Sequence, residues 1–254
     1  MNRSLMPEEY PITLYLNGTE LATYQLTKAD LEDWAVGYLY SEGIIDSIND
    51  LVNLVVDGRN HRILAEIDGK FDAESFTQKR KHFTAGCGRG ITFFSMADVK
   101  KFTKSKTDRV TTLSYLLKKR HEFAQSSPMY LDSGGMHGAC IVERDGTITV
   151  REDIGRHNAV DKAIGFALRT GLHAEDLILL TTGRISYEML AKAARYGIGI
   201  IGSRTAATKQ AIQLARFLNI EIAGYLRGKR AVLYTSEGRI MNDLSEIHVV
   251  GASN

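Results

Sequence analysis

The sequence is poor in cysteine and in proline. It contains two cysteines, Cys87 and Cys140, and 3 prolines among its 254 residues. Two cysteines cannot build the disulfide framework of a small secreted fold, and so few prolines exclude a proline-rich linker. Each cysteine is therefore interpreted as a free thiol in a reducing compartment, and one of them is a candidate for chemistry.

Excess charge and long apolar runs are also scarce. The 32 basic residues against 30 acidic ones leave a formal net charge of +2, which is too small for a protein that wraps nucleic acid. No window approaches the roughly 18 apolar residues of a membrane span, and the first residues lack the apolar segment of a signal peptide. We expect a cytoplasmic protein that binds neither nucleic acid nor membrane.

What is present is the composition of a folded protein, with 44% hydrophobic and 24% charged residues. The first part of the chain predicts two hairpins, whose turns are Asn17-Gly18 and Asp57-Gly58. Between them, apolar residues at helical spacing predict a helix with Thr27 as its N-cap. Residues 1–75 are therefore predicted to form a small α+β domain.

The pattern changes twice after this segment. Residues 76–110 show neither helical nor strand periodicity and are predicted to be a mobile loop region that carries Cys87. Residues 111–254 then alternate between helix and strand, which predicts an α/β domain whose mixed sheet is covered by helices on both faces. The predicted helices are 113–125, 157–169, 186–196 and 206–218, and the predicted strands are 137–143, 147–151, 177–180, 198–201, 221–225 and 231–234.

Cys87 has the sequence context of a reactive thiol. Its neighbours Gly86 and Gly88 shield the sulfur little, and Arg89 and the Lys79-Arg80-Lys81 run would favour the reactive thiolate if the loop brings them close. The alternative is that a free cysteine is a small buried hydrophobic residue. That alternative suits Cys140, which lies in a predicted buried strand, better than Cys87.

Metal binding is the competing use of the two sulfurs. A zinc site needs three or four suitably spaced ligands, and the sequence has no C-x-x-C pair and no zinc-deaminase signature. We expect no zinc site.

Glycine-rich loops with hydroxyl or cationic side chains follow two of the predicted strands. One contains Gly183 and Arg184, and the other contains Ser203 and Thr205. Both precede a helix, and two helix N-termini at one edge of an open sheet would suit a phosphorylated ligand. Helix capping alone explains such loops equally well.

The turn between the last two predicted strands has a sharper composition. It consists of Tyr225, Leu226, Arg227, Gly228, Lys229 and Arg230. Cations hold phosphates and an aromatic face can stack on a base, although a solvated hairpin tip has the same composition. The charged run from Arg151 to Asn158 could likewise be a site or a structural ion-pair network.

Together these motifs resemble the FdhD/NarQ family of formate dehydrogenase accessory sulfurtransferases. The resemblance rests on Ser133 to His137, REDIGRHNAVDKAIG from Arg151, TTGRISYEMLAKAARYGIGIIGSRTAAT from Thr181, and GYLRGKRAVLYT from Gly224. It implies a cytidine-deaminase-like three-layer core without zinc, a smaller attached domain and a homodimer.

The function that the resemblance implies is sulfur delivery. Such proteins accept sulfur from a cysteine desulfurase as a persulfide and pass it to the bis-(molybdopterin guanine dinucleotide) cofactor before its insertion into the formate dehydrogenase apoenzyme. Cys87 matches the first cysteine of the family's C-G-x-C motif, whereas Gly90 stands at the second. The resemblance assigns the turn from Tyr225 to Arg230 to cofactor binding, and we extend the expected site to Gly183, Arg184, Ser203 and Thr205, with guanine nucleotides as surrogates.

Two interpretations from other functional classes remain. A cofactor chaperone would hold the molybdenum compound without sulfur chemistry, and the glycine at position 90 favours it. A nucleotide-modifying enzyme of the deaminase type is suggested by fold analogy and opposed by the missing zinc ligands.

Overall fold

The computed structural model describes residues 6–69, 71, 102–244 and 247–249. Its N-terminal part contains β1 (Tyr10–Leu16), β2 (Thr19–Leu26), α1 (Leu31–Ser41), β3 (Leu51–Asp57) and β4 (Arg62–Ile67). The rest contains β5 (Thr111–Thr112), α2 (Leu113–Gln125), α3 (Pro128–Ser133), β6 (His137–Val142), β7 (Ile148–Asp153), α4 (Arg156–Arg169), β8 (Ile178–Thr181), α5 (Tyr187–Tyr196), β9 (Ile200–Ser203), α6 (Lys209–Leu218), β10 (Glu221–Arg227), β11 (Arg230–Leu233), β12 (Ile240–Met241) and β13 (Ile247–Val249).

The N-terminal strands form a four-stranded sheet in the order β2-β1-β4-β3. Both predicted hairpins are present, and Asn17 and Gly18 have the positive φ values, 48° and 79°, that a tight turn requires. Helix α1 packs its buried Trp34 and Leu39 against the sheet. The described N-terminal residues thus contain both predicted hairpins and the predicted helix. The end of the small domain at residue 75 stays a prediction.

The predicted N-cap of the first helix is wrong. The helix begins at Leu31, and its N-cap is Asp30, with φ 53° and no side-chain cap hydrogen bond. Thr27 instead bonds to the end of β7: its backbone N–H donates to Asp153 Oδ2 at 3.0 Å, and its hydroxyl accepts from the Ile154 N–H. The Thr27 side chain, which the local sequence assigned to the helix N-terminus, is thus used in a long-range contact instead.

A seven-stranded mixed sheet in the order β13-β11-β10-β9-β8-β6-β7 forms the centre of the molecule. Strands β8, β9 and β10 are mutually parallel, whereas β6 is antiparallel to both of its neighbours. The carboxyl ends of the three parallel strands therefore meet at one edge, together with the start of β6 and the end of β7.

Alternate residues of the strands enter two different cores, and each core is covered by helices. Ala139 and Ile141 of β6 pack with α4, α5 and α6, whereas Cys140 and Val142 pack with α2 on the opposite face. A sheet buried on both sides explains why its strands are continuous apolar runs. The predicted mixed sheet with helices on both faces is confirmed by this packing.

Buried ion pairs connect the elements around α4. Lys162 Nζ lies 2.7 Å from Asp153 Oδ2 with both side chains fully buried, and it also donates to the Thr27 carbonyl oxygen. Lys192 of α5 donates to both carboxylate oxygens of Asp161. These pairs join the first helix region, β7, α4 and α5 into one packed body.

The predicted elements after residue 111 differ from the structure mainly at their ends. The helix predicted over 113–125 has those bounds, whereas β9 starts at Ile200 rather than at 198. The short helix α3 was not predicted, because Ser126 to Pro128 indicated a stop although Pro128 occupies its first turn. Strands β12 and β13 were also missed; they are two and three residues long and are held by β5 and β11.

Candidate functional site

The carboxyl edge of the central sheet brings together the two glycine-containing loops singled out in the sequence. Thr181 at the end of β8 pairs in register with Ser203 at the end of β9. The loops continue side by side, since the Arg204 N–H donates to the Thr181 carbonyl oxygen at 3.1 Å and the Ile185 N–H to that of Ala206 at 3.0 Å. Residues 181–186 and 203–208 therefore form one continuous surface rather than two separate caps.

Ser203 lies beneath this surface. Its hydroxyl donates to the Gly183 carbonyl oxygen at 2.7 Å and accepts from the Thr205 N–H at 2.9 Å, and the residue is 1% exposed. Gly183 is buried as well, while Arg184 is exposed. The Ser203 hydroxyl thus connects the two loops, and the polar groups that face solvent here come from their neighbours.

The two helices that follow these loops are capped by their own side chains. Ser186 Oγ accepts from the Met189 N–H, and Thr208 Oγ1 accepts from the Ala211 N–H. Side-chain capping is therefore present at both helix starts. One backbone donor at each N-terminus is satisfied within the chain.

The hairpin turn from Tyr225 to Arg230 lies beside the loops. The Tyr225 N–H donates to the Thr205 carbonyl oxygen at 3.0 Å. Tyr225 has a left-handed backbone, φ 50°, and the residue is 42% exposed. Of the six residues in this turn, only Leu226 has its side chain in the core, so Leu226 can contact a ligand only through its backbone. The remaining four residues, Arg227, Gly228, Lys229 and Arg230, are exposed.

Gly224 makes this close approach of the turn and the loop possible. A Cβ at position 224 would lie 2.4 Å from the Tyr234 ring and 2.9 Å from the Thr205 carbonyl oxygen. Both distances are shorter than any real Cβ contact, so the hairpin can rest against the loop only without a side chain there.

A cluster of three arginines forms at the same edge. Arg204 Nη1 donates to the Tyr130 hydroxyl at 3.0 Å, and Arg227 Nε donates to the Arg204 carbonyl oxygen at 2.9 Å. Arg120 of α2 is the third member; burial, and then the positive charges of Arg204 and Arg227, lower the pKa of its guanidinium. Sequence reasoning missed Arg120, whereas Arg204 belongs to the second of the two glycine-containing loops that it singled out.

A signal for Arg120 is nevertheless present in the sequence. Leu113, Leu116, Arg120 and Phe123 recur at helical spacing, so they share one face of α2. The three apolar members are buried, which turns Arg120 towards the core face of the helix rather than towards water. A cationic residue on the apolar face of a predicted helix is thus the sequence feature that points to Arg120 as a candidate site residue.

A second polar cluster surrounds the start of α4. His157 Nε2 lies 3.2 Å from Glu188 Oε2 without hydrogen-bond geometry, and Arg156 Nε is buried with no partner in the part of the chain that the structure describes. His137 Nδ1 lies 3.4 Å from Thr182 Oγ1, and burial, together with the charges of Arg156 and His157, lowers the pKa of its imidazole.

The charged run from Arg151 to Asn158 divides between structure and candidate site. Arg151 Nε pairs with Asp33 Oδ2 at 2.7 Å, and Asp153 pairs with the buried Lys162. Asp153 Oδ1 also accepts from the Asn158 side chain. The ion-pair network therefore explains these positions, whereas Arg156 forms no ion pair within the described ranges.

The two cysteines fall in different parts of the chain. Cys87 lies outside the described residues, as does most of the region predicted to be a mobile loop. Cys140 is fully buried in β6, and burial raises the pKa of its thiol to about 12. The prediction that Cys140 is a buried strand residue is confirmed, and its thiol is almost entirely protonated at neutral pH.

Metal-ligating side chains do not gather anywhere in the described ranges. These ranges contain no group of three or more histidine, cysteine, aspartate or glutamate side chains arranged to hold a metal ion. No helix in the same ranges combines the length and apolar character needed to cross a membrane.

Comparisons with known proteins agree on one family. The FdhD/NarQ family model matches residues 7–241. A protein of Listeria innocua named sulfur carrier protein FdhD is 37% identical, and the match covers 93% of this chain and 92% of the relative. The protein of the same name from Wolinella succinogenes is 36% identical over 92% of this chain and 81% of its own length.

A solved structure gives the same result for the fold. A crystal structure described as that of a formate dehydrogenase accessory protein from Desulfotalea psychrophila superposes with a TM-score of 0.76 and 25% sequence identity. The match covers 93% of this chain and 90% of the other, so the two chains share their mixed α/β architecture nearly throughout.

Proposed function

The chain belongs to the FdhD/NarQ family, as its motifs predicted, and from that premise we propose that it is a sulfur carrier required for formate dehydrogenase activity. The observation that carries the proposal is the match, over more than nine tenths of the chain, to relatives named sulfur carrier protein FdhD. The family model, which matches residues 7–241, spans every motif from which the function was predicted.

Cys87 is the proposed carrier of the sulfur. A persulfide forms on a thiolate, and the chain offers two thiols for the role. Cys140 is unsuited to it, because its thiol is buried among apolar side chains and has a pKa of about 12. The burial of Cys140 therefore supports Cys87, which also matches the first cysteine of the family motif.

The proposed loading step is a thiol exchange with a cysteine desulfurase that bears a persulfide. The Cys87 thiolate attacks the outer sulfur of that persulfide, the bond between the two sulfurs breaks, and the desulfurase cysteine leaves as a thiolate. No net oxidation or reduction occurs, because one persulfide is exchanged for another. In this sense the chain is a sulfurtransferase.

Release of the sulfur needs a second thiol. Delivery as sulfide requires two electrons, and Gly90 stands where the family motif has its other cysteine. We propose that a low-molecular-weight thiol attacks the Cys87 sulfur, so that sulfide leaves and a mixed disulfide remains. A second such thiol then restores Cys87 and leaves as a symmetrical disulfide. A reducing cytoplasm supplies such thiols.

The proposed acceptor is bis-(molybdopterin guanine dinucleotide), bound as a substrate at the carboxyl edge of the central sheet. The exposed Arg227, Lys229 and Arg230 supply positive charge for its phosphates, and the exposed ring of Tyr225 offers a face for a base. The adjoining loops add the exposed Arg184 and the half-buried Thr205 to the same surface. The buried Gly183 and Ser203 connect the two loops beneath it. Their proximity in the fold supports a single ligand site.

The finer fold assignment is also a proposal. Numbered from β6, the strands β7-β6-β8-β9-β10 have the order 2-1-3-4-5, with the first strand antiparallel to its neighbours. This order, with helices on both faces, supports the cytidine-deaminase-like core that the family resemblance implies. We further propose that the chain acts as a homodimer and docks on the formate dehydrogenase apoenzyme.

A cofactor chaperone without sulfur chemistry is the second candidate, and the glycine at position 90 favours it. The two functions differ in whether the protein carries sulfane sulfur. After incubation with a cysteine desulfurase and free cysteine, the sulfur carrier holds about one labile sulfur per chain, and Cys87→Ser holds none. Equal, background labelling of both proteins would favour the chaperone.

A further inference from the structure

Arg120 is an incompletely satisfied cation at the sheet edge. It lies on the face of α2 that carries the buried Leu116 and Phe123. Its Nε atom is shielded from solvent and has no hydrogen-bond partner within residues 6–69, 102–244 and the other described positions. A shielded donor of this kind costs free energy unless a ligand satisfies it.

The neighbours of Arg120 increase that cost. Arg204 and Arg227 are close enough for their positive charges to oppose its own. Among the described ion pairs, none connects a carboxylate to Arg120, Arg204 or Arg227. Three guanidinium groups with no paired carboxylate among the described residues form a site for an anion, because like charges at short range repel until an anion binds.

A cavity opens at this cluster. It has a volume of about 150 Å³ and is lined by Arg120, Phe123, Ala124, Tyr130, Thr181, Thr182 and Arg204. Sites for whole drug-sized ligands start at about 300 Å³, so the cavity is too small for a nucleotide and suits one charged group of a larger ligand. Its two hydroxyl-bearing threonines lie at the end of β8, beside the proposed cofactor surface.

We propose that this cavity is a subsite for a phosphate or diphosphate group, bound by the guanidinium groups of Arg120 and Arg204. The proposal rests on the proposed function for the identity of its ligand, the diphosphate of a guanine dinucleotide. Arg227 contributes positive potential and connects the subsite to the hairpin, since its Nε donates to the Arg204 carbonyl oxygen. Arg120 is then a ligand-binding residue contributed by a helix outside every recognised loop.

Binding of inorganic pyrophosphate, GDP and guanosine at low ionic strength tests the subsite. Arg120→Gln removes the charge and keeps a polar side chain, and Lys118→Gln makes the same charge change elsewhere on α2. We expect Arg120→Gln to weaken pyrophosphate and GDP binding about tenfold or more, the range for a hydrogen bond between charged groups. Lys118→Gln should bind both ligands as the wild type does, and guanosine should bind all three proteins equally.

The melting temperature gives a second readout. Without ligand, Arg120→Gln should melt no lower than the wild type, because it loses an uncompensated cation. Pyrophosphate should raise the melting temperature of the wild type and of Lys118→Gln but not that of Arg120→Gln. Wild-type pyrophosphate affinity in Arg120→Gln, or no pyrophosphate binding to the wild type, would overturn the subsite. Loss of pyrophosphate binding with unchanged GDP binding would overturn its assignment to the nucleotide.

Sulfur loading separates this proposal from the proposed function. Arg120→Gln should accept sulfur from a cysteine desulfurase as the wild type does, because loading uses Cys87 alone. Wild-type protein that binds pyrophosphate through Arg120 but never accepts sulfur would contradict the carrier function and leave the anion subsite intact. Normal sulfur loading together with unchanged anion binding in Arg120→Gln would contradict the anion subsite and leave the carrier function intact.

Discussion

Gly37 of α1 and Gly165 of α4 lie backbone to backbone. A Cβ at Gly37 would lie 1.8 Å from the Asp161 carbonyl oxygen, and one at Gly165 would lie 1.8 Å from that of Asp33. Helix α1 belongs to the N-terminal sheet, and α4 begins at the polar cluster of the candidate site. This contact therefore fixes the N-terminal part of the protein against the helix that carries Arg156 and His157.

Replacing either glycine by alanine should destabilise the protein strongly. Backbone atoms cannot rotate away as a side chain can, so we expect Gly37→Ala and Gly165→Ala each to lower the free energy of unfolding by about 3 kcal/mol or more. Urea denaturation measures this. Gly58→Ala is the control, because a Cβ there meets nothing within 4 Å. Equal midpoints for all three variants would show that the helices are not in contact.

His137 should make stability depend on pH. Burial, and then the charges of Arg156 and His157, lower the pKa of its imidazole below the ordinary 6.5. The unfolded chain therefore takes up the proton first, and stability is lost as the pH falls from 6.5 towards the folded pKa. His137→Gln should therefore lose less free energy of unfolding than the wild type when the pH is lowered from 7.5 to 5.5, and urea denaturation at the two pH values measures the difference.

The control for this measurement is His121→Gln, which removes an exposed histidine from α2. It should follow the wild-type pH dependence of the urea midpoint. A His137→Gln protein that follows it too would show that the imidazole titrates alike in the folded and unfolded chains.

Cys140 should resist alkylation in the folded protein. With a thiol pKa of about 12, about one molecule in ten thousand carries the reactive thiolate at pH 8, and the sulfur is buried as well. The Cys87→Ser protein should therefore bind no iodoacetamide under native conditions and one equivalent in denaturant, as mass spectrometry can count. Rapid labelling of Cys87→Ser under native conditions would show that the Cys140 thiol is accessible, and Cys140 would then no longer be excluded as the sulfur carrier.

The sequence predicted elements better than contacts. A continuous apolar run identified β6, because its sheet is buried on both faces. The spacing of Leu113, Leu116 and Leu117 identified α2, because a helix buries one face. The Gly37–Gly165 contact was beyond prediction, because it joins positions 128 residues apart and a helical glycine has many explanations. Thr27 shows the same limit, since its partners come from β7.

Some residues of the candidate site could likewise be predicted from local sequence, and others could not. The loop and turn residues from Gly183 to Arg230 carried recognisable glycine, hydroxyl and cationic patterns. Arg120 did not, because it enters the site from a helix on the far face of the sheet and its position depends on how α2 packs against β10. Local patterns thus identified the surface, and the fold supplied the neighbouring cavity.

Charge at the hairpin turn should control nucleotide binding. Arg230 is exposed and pairs in register with Arg227 at the end of β10. Arg230→Glu should weaken GDP binding and flatten its dependence on salt, because a cation–phosphate contact is screened by ions. Arg59→Glu reverses an exposed charge in a hairpin turn of the other sheet and should bind GDP normally. Unchanged affinity in a folded Arg230→Glu protein would move the phosphates away from this turn.

Formate dehydrogenase activity in cells that lack their own accessory protein tests the carrier function most directly. Such cells would produce the wild type, Cys87→Ser or Cys140→Ala, with protein levels matched by immunoblot. We expect activity with the wild type and Cys140→Ala and none with Cys87→Ser, because serine keeps the size of the side chain but cannot form a persulfide. Full activity with Cys87→Ser would contradict the carrier function and favour a chaperone that only binds the cofactor.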